Sequence, residues 1–122
     1  MKIELDSFTW DQIKNEIATV IANGFIPKEP IRSLVEIKHK DFYLIIKHNW
    51  TMLVNPTPVF SRNVVVSLHV RHVDWGRRDE GIEVLTKDRN YHSNTSWVEQ
   101  FSQDFADAAI RNLMEMDVLE LL

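Results

Sequence analysis

The sequence has no cysteine and only three glycines among its 122 residues. Without cysteine, the chain has neither disulfide bonds nor thiolate ligands for a metal ion. Each glycine falls at a predicted helix end or turn, so none is left for a glycine-rich phosphate-binding loop. The sequence also lacks a run of 18 apolar residues and a secretory leader, and we therefore expect no transmembrane span and a cytoplasmic location.

Hydrophobic residues nevertheless make up 44% of the chain. A chain of this length buries roughly two-thirds of its unfolded surface on folding, which is enough for one core. No internal repeat and no low-complexity linker divides the sequence. We therefore expect residues 1–122 to form a single domain.

Charge is distributed unevenly along the chain, whose formal net charge is −4. Residues 31–79 carry eight Lys and Arg against four Asp and Glu, whereas residues 95–122 carry Arg111 alone against six acids. Such a separation is typical of a solvated helix face, but it also suits a surface that attracts a partner of opposite charge. The acidic C-terminal segment is therefore a candidate interaction surface.

The N-terminal part of the sequence predicts a short edge strand over residues 1–5 and a helix over residues 10–23. Thr9 is the expected N-cap, with Gln12 reaching back from the third helical position as in a capping box. The helix is expected to end at Gly24, since glycine takes the left-handed conformation at little cost.

Two runs at residues 31–39 and 41–48 alternate between apolar and polar residues in the manner of strands. A two-residue turn between them pairs the runs antiparallel and places Val35 opposite Ile46. A further apolar run at residues 50–54 is either a bulged continuation of the second strand or a separate short strand.

The strongest strand signal spans residues 62–75, because four even-numbered apolar residues share one face. These are Val64, Val66, Leu68 and Val70. A charged connection at residues 76–81 leads to a last strand at residues 82–86, and residues 87–95 are predicted to form a polar loop.

A long amphipathic helix is predicted to begin at Ser96, with Glu99 completing a capping box. Its first apolar stripe is expected to face the sheet, while a second stripe widens the apolar arc beyond what one sheet face covers. The second stripe consists of Ala106, Ile110, Met114, Val118 and Leu121.

The predicted fold is α+β: a mostly antiparallel meander of four or five strands, with the N-terminal helix and the long C-terminal helix packed on it.

Five histidines raise the question of a metal or acid–base site. His69 and His72 lie three residues apart in a strand and therefore point to opposite faces, which excludes a shared tetrahedral ion. One enzyme hypothesis brings His72, Asp74 and His92 together at the end of the sheet. We keep it as an alternative, and we predict no catalytic residue, no metal site and no cofactor.

A basic and aromatic cluster, which includes Trp75, Arg77 and Arg78, surrounds the connection between the last two strands. Such clusters occur in nucleic-acid-binding proteins, but acids are interleaved with this one and the sequence pI is about 5.7. These features favour a solvated hairpin tip with internal ion pairs over a nucleic-acid surface. Trp75, Arg77 and Arg78 are kept as candidate contacts with a protein partner.

Together these features favour a non-enzymatic protein-binding module. The leading hypothesis is an inhibitor or immunity-type protein that neutralises a basic protein partner such as a toxin. The acidic face of the last helix, at Asp104, Asp107 and Glu115, is the predicted contact with that partner. Two alternatives stay open: a structural, assembly or secretion-chaperone subunit that forms a homo-oligomer such as a homodimer, and the small enzyme with a His and Asp site.

Overall fold

The computed structural model describes residues 3–5, 7–25, 33–39, 42–54, 60–73, 81–91, 95–116 and 119–121. The elements follow the order β1 (Ile3–Leu5), α1 (Ser7–Asn23), β2 (Ser33–His39), β3 (Phe42–Val54), β4 (Phe60–His72), β5 (Ile82–Tyr91), α2 (Val98–Glu115) and β6 (Leu119–Leu121). Four antiparallel strands form one open sheet, with one helix before it in the chain and one after it. This arrangement confirms the predicted α+β class.

The four-stranded sheet has the order β2-β3-β4-β5, so each strand pairs with its neighbour in the sequence. This is the predicted meander. The hairpin of β2 and β3 has the predicted register, with Val35 opposite Ile46. β3 continues through residues 50–54, and its register with β4 is constant there, so the run is a continuation of the strand but not the bulged one that was predicted. β4 pairs with both β3 and β5 and is therefore a central strand.

The short strands β1 and β6 form a separate parallel pair, in which Ile3 lies opposite Leu119. The predicted N-terminal strand is present, but it does not join the edge of the main sheet. The second apolar stripe was expected to stay helical through Leu121, and this prediction is wrong because α2 ends at Glu115 and Leu121 belongs to β6. Val118, another member of that stripe, lies outside the described residues.

The core lies between the sheet and the two helices, which cover the same face of the sheet. Side chains alternate across a strand, so the even-numbered residues of β3 and β4 point toward this core. Its principal members are Ile13, Ile17, Ile21, Leu44, Ile46, Val64, Val66, Leu68, Val70, Phe105, Ala109 and Leu113. Each large apolar side chain buried in this way contributes about 1.5–3 kcal/mol, and packing of the helices on the sheet therefore holds the fold together.

α1 begins at Ser7, two residues before the predicted N-cap. Thr9 consequently lies inside the first helical turn, and its assignment as the N-cap is wrong. The sequence offers an earlier start signal at Asp6 and Ser7, since Asp and Ser are favoured at helix starts as strongly as Thr. Both sets of residues are typical of a helix start, and the helix begins at the earlier one.

Gly24 follows the end of α1, as predicted, but not in the left-handed conformation. Among the described residues, the glycine with a positive φ is Gly81, at 72°. At Gly24 the requirement for glycine is space, because a Cβ atom there would lie 2.2 Å from Nε2 of His48. The predicted residue is thus correct and the predicted reason is wrong.

β5 is longer than predicted, because it continues through residues 87–91, which the sequence assigns to a polar loop. Pairing with β4 holds this polar segment extended. The pairing includes a side-chain hydrogen bond of 2.7 Å from Nδ2 of Asn63 to Oδ1 of Asn90. Strand formation here depends on the neighbouring strand and not on an apolar pattern in β5 itself.

The register between β4 and β5 shifts by one residue. Leu68 lies opposite Leu85, whereas His69, the next residue of β4, lies opposite Glu83. Val84 is therefore the extra residue of a β-bulge. Because side chains alternate, the predicted continuous alternation over 82–86 is interrupted at the bulge, and the odd-numbered residues beyond it turn to the helix side.

α2 begins at Val98, with Trp97 as its N-cap residue. Trp97 has helical backbone angles and forms no side-chain cap hydrogen bond, so the predicted helix start at Ser96 is wrong and Trp97 holds the N-cap position. The helix follows a turn in which the amide of Val98 donates to the carbonyl of Thr95 at 3.1 Å. An N-cap residue usually has extended backbone angles, and Trp97 does not have them.

α2 packs along α1 as well as over the sheet, which explains the width of its apolar arc. Ala106 is fully buried, and Ile110 is partly buried against the core. Nζ of Lys14 in α1 lies 3.4 Å from Oδ1 of Asp107 in α2. Of the three stripe residues whose exposure the structure describes, only Met114, at 37% exposure, remains open. Ala106 and Ile110 therefore need no partner to cover them.

Candidate functional site

The two layers of the fold, the helices and the main sheet, carry net charges of opposite sign. α1 and α2, which we call the helix layer, carry six acids against the two bases Lys14 and Arg111, a net charge of −4. The four strands of the main sheet carry six bases against three acids, a net charge of +3. The uneven charge along the sequence thus becomes a difference between two layers.

The acidic stripe consists of the three predicted contact residues of α2, Asp104, Asp107 and Glu115. All three are exposed, and their spacings of three and eight residues place them along one side of the helix. Arg111 lies between them, four residues from both Asp107 and Glu115. Helical periodicity therefore predicts the stripe correctly, although a basic residue interrupts it.

The members of the acidic stripe differ in their neighbours. Asp107 forms the contact with Lys14, whereas Asp104 accepts a hydrogen bond of 2.8 Å from Nε2 of Gln100. Within the described part of the chain, neither Asp104 nor Glu115 forms an ion pair. Asp104 and Glu115 are consequently the members whose charge is least compensated by the fold.

The remaining predicted contact residues, Trp75, Arg77 and Arg78, lie outside the described residues. Their role stays a prediction. In the enzyme alternative, His72 is buried at 4% exposure, and Asp74 and His92 also lie outside the described residues. In the ranges that the structure describes, no group of three or more His, Asp or Glu side chains is placed to hold a metal ion.

Two histidines of the first hairpin connect the sheet to α1. Nε2 of His39 lies 3.0 Å from Oε2 of Glu16, and Nε2 of His48 donates to the carbonyl oxygen of Ile21 at 3.1 Å. Burial lowers the pKa of His48 below its ordinary value of 6.5, and the hydrogen bond to Ile21 opposes this shift only in part. Both side chains anchor the helix on the sheet, which is a structural role.

A groove of about 330 Å³, the α2–β5 groove, lies between the last helix and the edge strand β5. Its floor is mainly aromatic, and two bases and one acid line its rim. The lining consists of Lys87, Arg89, Trp97, Gln100, Phe101, Asp104, Phe105 and Ala108. Cζ of Arg89 lies 4.2 Å from the centre of the Trp97 ring, a cation–π contact that covers part of the floor.

Lys87 and Arg89 line this groove because of the bulge at Val84. Without the extra residue, the alternation of β5 would turn them to the opposite face of the sheet. A single inserted residue leaves no distinct mark in the sequence. Sequence reasoning therefore missed the groove, although it identified Asp104 on its rim.

A larger groove of about 730 Å³, the α1–β2 groove, lies at the opposite edge of the sheet. Side chains of α1 form most of its wall, and one residue of β2 contributes to it. The lining consists of Asp11, Gln12, Asn15, Glu16, Thr19, Val20 and Ile37. It therefore combines two carboxylates and several neutral polar groups with a mainly apolar surface, and its lining residues in the described part of the chain include no Lys or Arg.

The edge strands of the main sheet, β2 and β5, differ in what they expose. β2 exposes 56% of Leu34 and 38% of Val35, whose side chains point to opposite faces of the sheet. The exposed residues of β5 from Glu83 onward are polar, and the bulge distorts its edge. Charges and bulges protect an edge from pairing with another strand. β2 also exposes Glu36 and Lys38, but its pairing with β3 has no register shift, so β2 is the less protected edge.

The face of the sheet opposite the helices carries charges of both signs that contact one another. The guanidinium of Arg71 lies 4.7 Å from the centre of the Tyr43 ring and 3.9 Å from Oε1 of Glu36. Nζ of Lys38 lies 5.8 Å from the same ring. Among the described residues this face therefore mixes both signs of charge, whereas the helix layer has a net charge of −4.

The features that a ligand can recognise in the described ranges are the charged helix layer, the two grooves and the edge of β2. Neither α1 nor α2, the helices that the structure describes, combines the length and the apolar content needed to cross a membrane. Comparison of the chain with protein-family models, with curated proteins and with solved structures finds no match.

Proposed function

We propose that this chain is a non-enzymatic, cytoplasmic protein-binding module that engages a basic protein partner through its helix layer. The form of this function that we favour is an immunity-type inhibitor, which neutralises a basic protein such as a toxin. The observation that supports the proposal is the separation of charge, with −4 on the helix layer against +3 on the main sheet. Opposite charges on two partners accelerate their encounter and orient them.

Within the helix layer, the proposal assigns the main contact to Asp104 and Glu115. Asp107 contributes less, since Lys14 already compensates its charge. The homo-oligomer alternative keeps a narrower basis. Of the stripe residues whose exposure is described, Ala106 is buried and Ile110 is partly buried in the core of this chain, whereas Met114 is exposed.

Retention of proteins from the source cell on the immobilised full chain tests the proposal. The test variant is Asp104→Lys with Glu115→Lys, which reverses two charges on the helix layer. The matched control is Glu83→Lys with Asp88→Lys, which reverses two exposed charges on β5 and changes the net charge equally. We expect the wild type and the control to retain a basic protein that the test variant does not retain. Added salt is expected to elute this protein.

The proposal fails if the test variant and the control retain the same proteins at the same salt concentration. It also fails if the retained proteins are acidic. Rate measurements on the recovered partner give a second criterion: charge reversal on the helix layer is expected to lower the association rate more than it raises the dissociation rate.

A further inference from the structure

The edge of β2 and the α1–β2 groove beside it offer a specific docking mode for a basic protein. We infer that the partner contributes an extended segment, which pairs with β2 as an additional strand and places two basic side chains in the α1–β2 groove. The inference rests on the proposed function, because it describes how the same basic partner docks. Strand addition of this kind takes affinity from the backbone and specificity from alternate side chains.

The first step of the argument is the state of the two sheet edges. β2 ends the sheet with the exposed apolar side chains of Leu34 and Val35, whereas β5 ends it with a bulge and a row of exposed polar residues. An edge strand presents unpaired backbone amides and carbonyls to an incoming chain. Of the two edges, β2 is therefore the one suited to accept a strand.

The second step is the direction of the side chains on an added strand. Val35 and Ile37 lie opposite Ile46 and Leu44, which are buried on the helix side, so these two residues of β2 also face the helix side. A strand paired with β2 would send every second side chain to that same face. Those side chains would enter the α1–β2 groove, of which Ile37 is part.

The third step is charge. The groove contains the carboxylates of Asp11 and Glu16. Oε2 of Glu16 also contacts Nε2 of His39 at 3.0 Å, and the single base of α1, Lys14, contacts Asp107 of α2. The two acids are separated by about 7.5 Å along the helix axis, from a rise of about 1.5 Å per residue. Alternate residues of a strand are separated by about 6.6 Å. Five residues also turn an α-helix by about 140° beyond one full turn, so the two carboxylates are farther apart than this rise. Two basic residues at alternate positions of a strand therefore match the groove in charge, and their long side chains span the difference in spacing.

The apolar part of the groove completes the match. Val20 and Ile37 offer apolar surface to the aliphatic stems of Lys or Arg, while the charged ends reach the carboxylates. On the other face, the residue between the two bases would lie over the exposed side of β2 near Leu34. The segment expected from this geometry has a basic, an apolar and a second basic residue in succession.

A second copy of this chain is a less suitable occupant. A copy paired with β2 through its own β2 would bring another Asp11 and Glu16 toward the same groove, and like charges oppose such an approach. Light scattering of the full chain distinguishes this case. Concentration-dependent dimers that dissociate in a Leu34→Lys variant would overturn the inference in favour of self-pairing.

The direct test uses the full chain labelled with ¹⁵N and a capped synthetic peptide of seven residues. The peptide has lysine at its third and fifth positions, valine between them and threonine elsewhere. We expect saturable binding, with the largest amide shift changes in β2 and in residues 11–20 of α1. A peptide of the same composition with adjacent lysines would point them to opposite faces, and we expect it to bind at least about fivefold more weakly.

Two neutralising variants distinguish binding at the α1–β2 groove from nonspecific attraction of a basic peptide to an acidic protein. Asp11→Asn with Glu16→Gln is expected to weaken binding of the first peptide at least about fivefold. The matched control, Glu83→Gln with Asp88→Asn, removes the same charge from exposed positions of β5 and is expected to stay within about twofold of the wild type. Equal binding of the two peptides, or equal weakening by the two variants, would overturn the inference.

Failure of the strand-addition inference can be distinguished from failure of the proposed function. If the peptide does not bind while charge reversal at Asp104 and Glu115 still abolishes retention of a basic protein, strand addition is wrong and the proposed function stands. If that charge reversal changes no retention, the proposed function itself is wrong, whatever the peptide does.

Discussion

Nε2 of His48 in β3 lies 3.1 Å from the carbonyl oxygen of Ile21, near the end of α1. A carbonyl oxygen only accepts hydrogen bonds, so the imidazole carries a proton on Nε2. The ring is fully buried, and it meets the ring of Phe25 edge-on at a centroid distance of 5.6 Å. A side chain of the sheet thus supplies the hydrogen-bond donor that a carbonyl in the last turn of the helix requires.

This contact predicts that acid destabilises the protein through His48. Burial holds the pKa of His48 in the folded state below 6.5, its value when exposed. Between these two pKa values the unfolded chain binds more protons than the folded chain, so the free energy of unfolding rises with pH. The contribution is fully present above about pH 6.5 and is lost as the pH falls toward the folded pKa.

Urea unfolding between about pH 5 and pH 8 measures this dependence. Replacement of His48 by Gln keeps a donor and removes the titration, so we expect a smaller loss of stability on acidification than in the wild type. His69→Gln serves as the control, because His69 faces the other side of the sheet. An unchanged pH dependence in His48→Gln would contradict the prediction.

The close approach of Gly24 to the same imidazole predicts that Gly24→Ala destabilises the protein. The new Cβ atom would lie 2.2 Å from Nε2 of His48, and one of the two groups must move. Overpacking of this kind costs about 1–3 kcal/mol, measurable by urea unfolding. The cause is steric and not conformational, since the left-handed backbone is found at Gly81 and not at Gly24.

A double-mutant cycle separates the two causes. In a His48→Ala background the clash is absent, so Gly24→Ala should cost at least about 1 kcal/mol less than it does alone. Gly81→Ala is also expected to be destabilising, because its Cβ atom would lie 2.4 Å from the carbonyl oxygen of Val70. Its cost should add to that of His48→Ala, since the two sites share no contact. Additive behaviour of the Gly24 pair would exclude the steric explanation.

The hairpin of β2 and β3 was predictable from the sequence because two alternating runs joined by a short turn allow one register that buries a whole face. The bulge at Val84 was not predictable, because an inserted residue becomes visible only against the strand with which it pairs. The start of α1 was misplaced for a different reason. Two local signals lie within three residues, and only packing selects one of them.

The candidate site, like the fold, was predictable from the sequence only in part. Helical periodicity places Asp104, Asp107 and Glu115 on one stripe, because spacings of three, eight and eleven residues at about 3.6 residues per turn keep them on one side of the helix. The pairing of Asp107 with Lys14 depends on how α1 lies beside α2, which local sequence does not specify. The α1–β2 groove likewise brings together residues 11–20 and Ile37, which are distant in the sequence.

A hydrogen bond to the bulge predicts a structural role for Asn112. Nδ2 of Asn112 in α2 donates to the carbonyl oxygen of Val84 at 2.9 Å, in a partly buried position. Replacement by Ala leaves that carbonyl without this donor, and we expect a loss of about 1–2 kcal/mol in the free energy of unfolding. The amide shifts of Glu83 and Leu85 are expected to change as the bulge relaxes.

Asn90 provides the control for this prediction. Its side chain also forms a hydrogen bond, at 2.7 Å with Asn63, but the pair is exposed and water replaces it readily. Asn90→Ala should therefore cost less than about 0.5 kcal/mol. Equal losses for Asn112→Ala and Asn90→Ala would show that the bulge does not depend on α2.

The charge of the acidic stripe is expected to matter little for folding. Asp104 and Glu115 are exposed, and exposed charges contribute about 0–1 kcal/mol each, so Asp104→Lys with Glu115→Lys should leave the unfolding midpoint in urea nearly unchanged. Asp107→Lys should cost more, because it replaces the attraction to Lys14 by repulsion, and added salt should reduce the difference. A loss above about 2 kcal/mol in the double variant would mean that the stripe is structural. If the double variant is as stable as the wild type, its loss of a basic partner reports on the contact surface itself, because the folded population is unchanged.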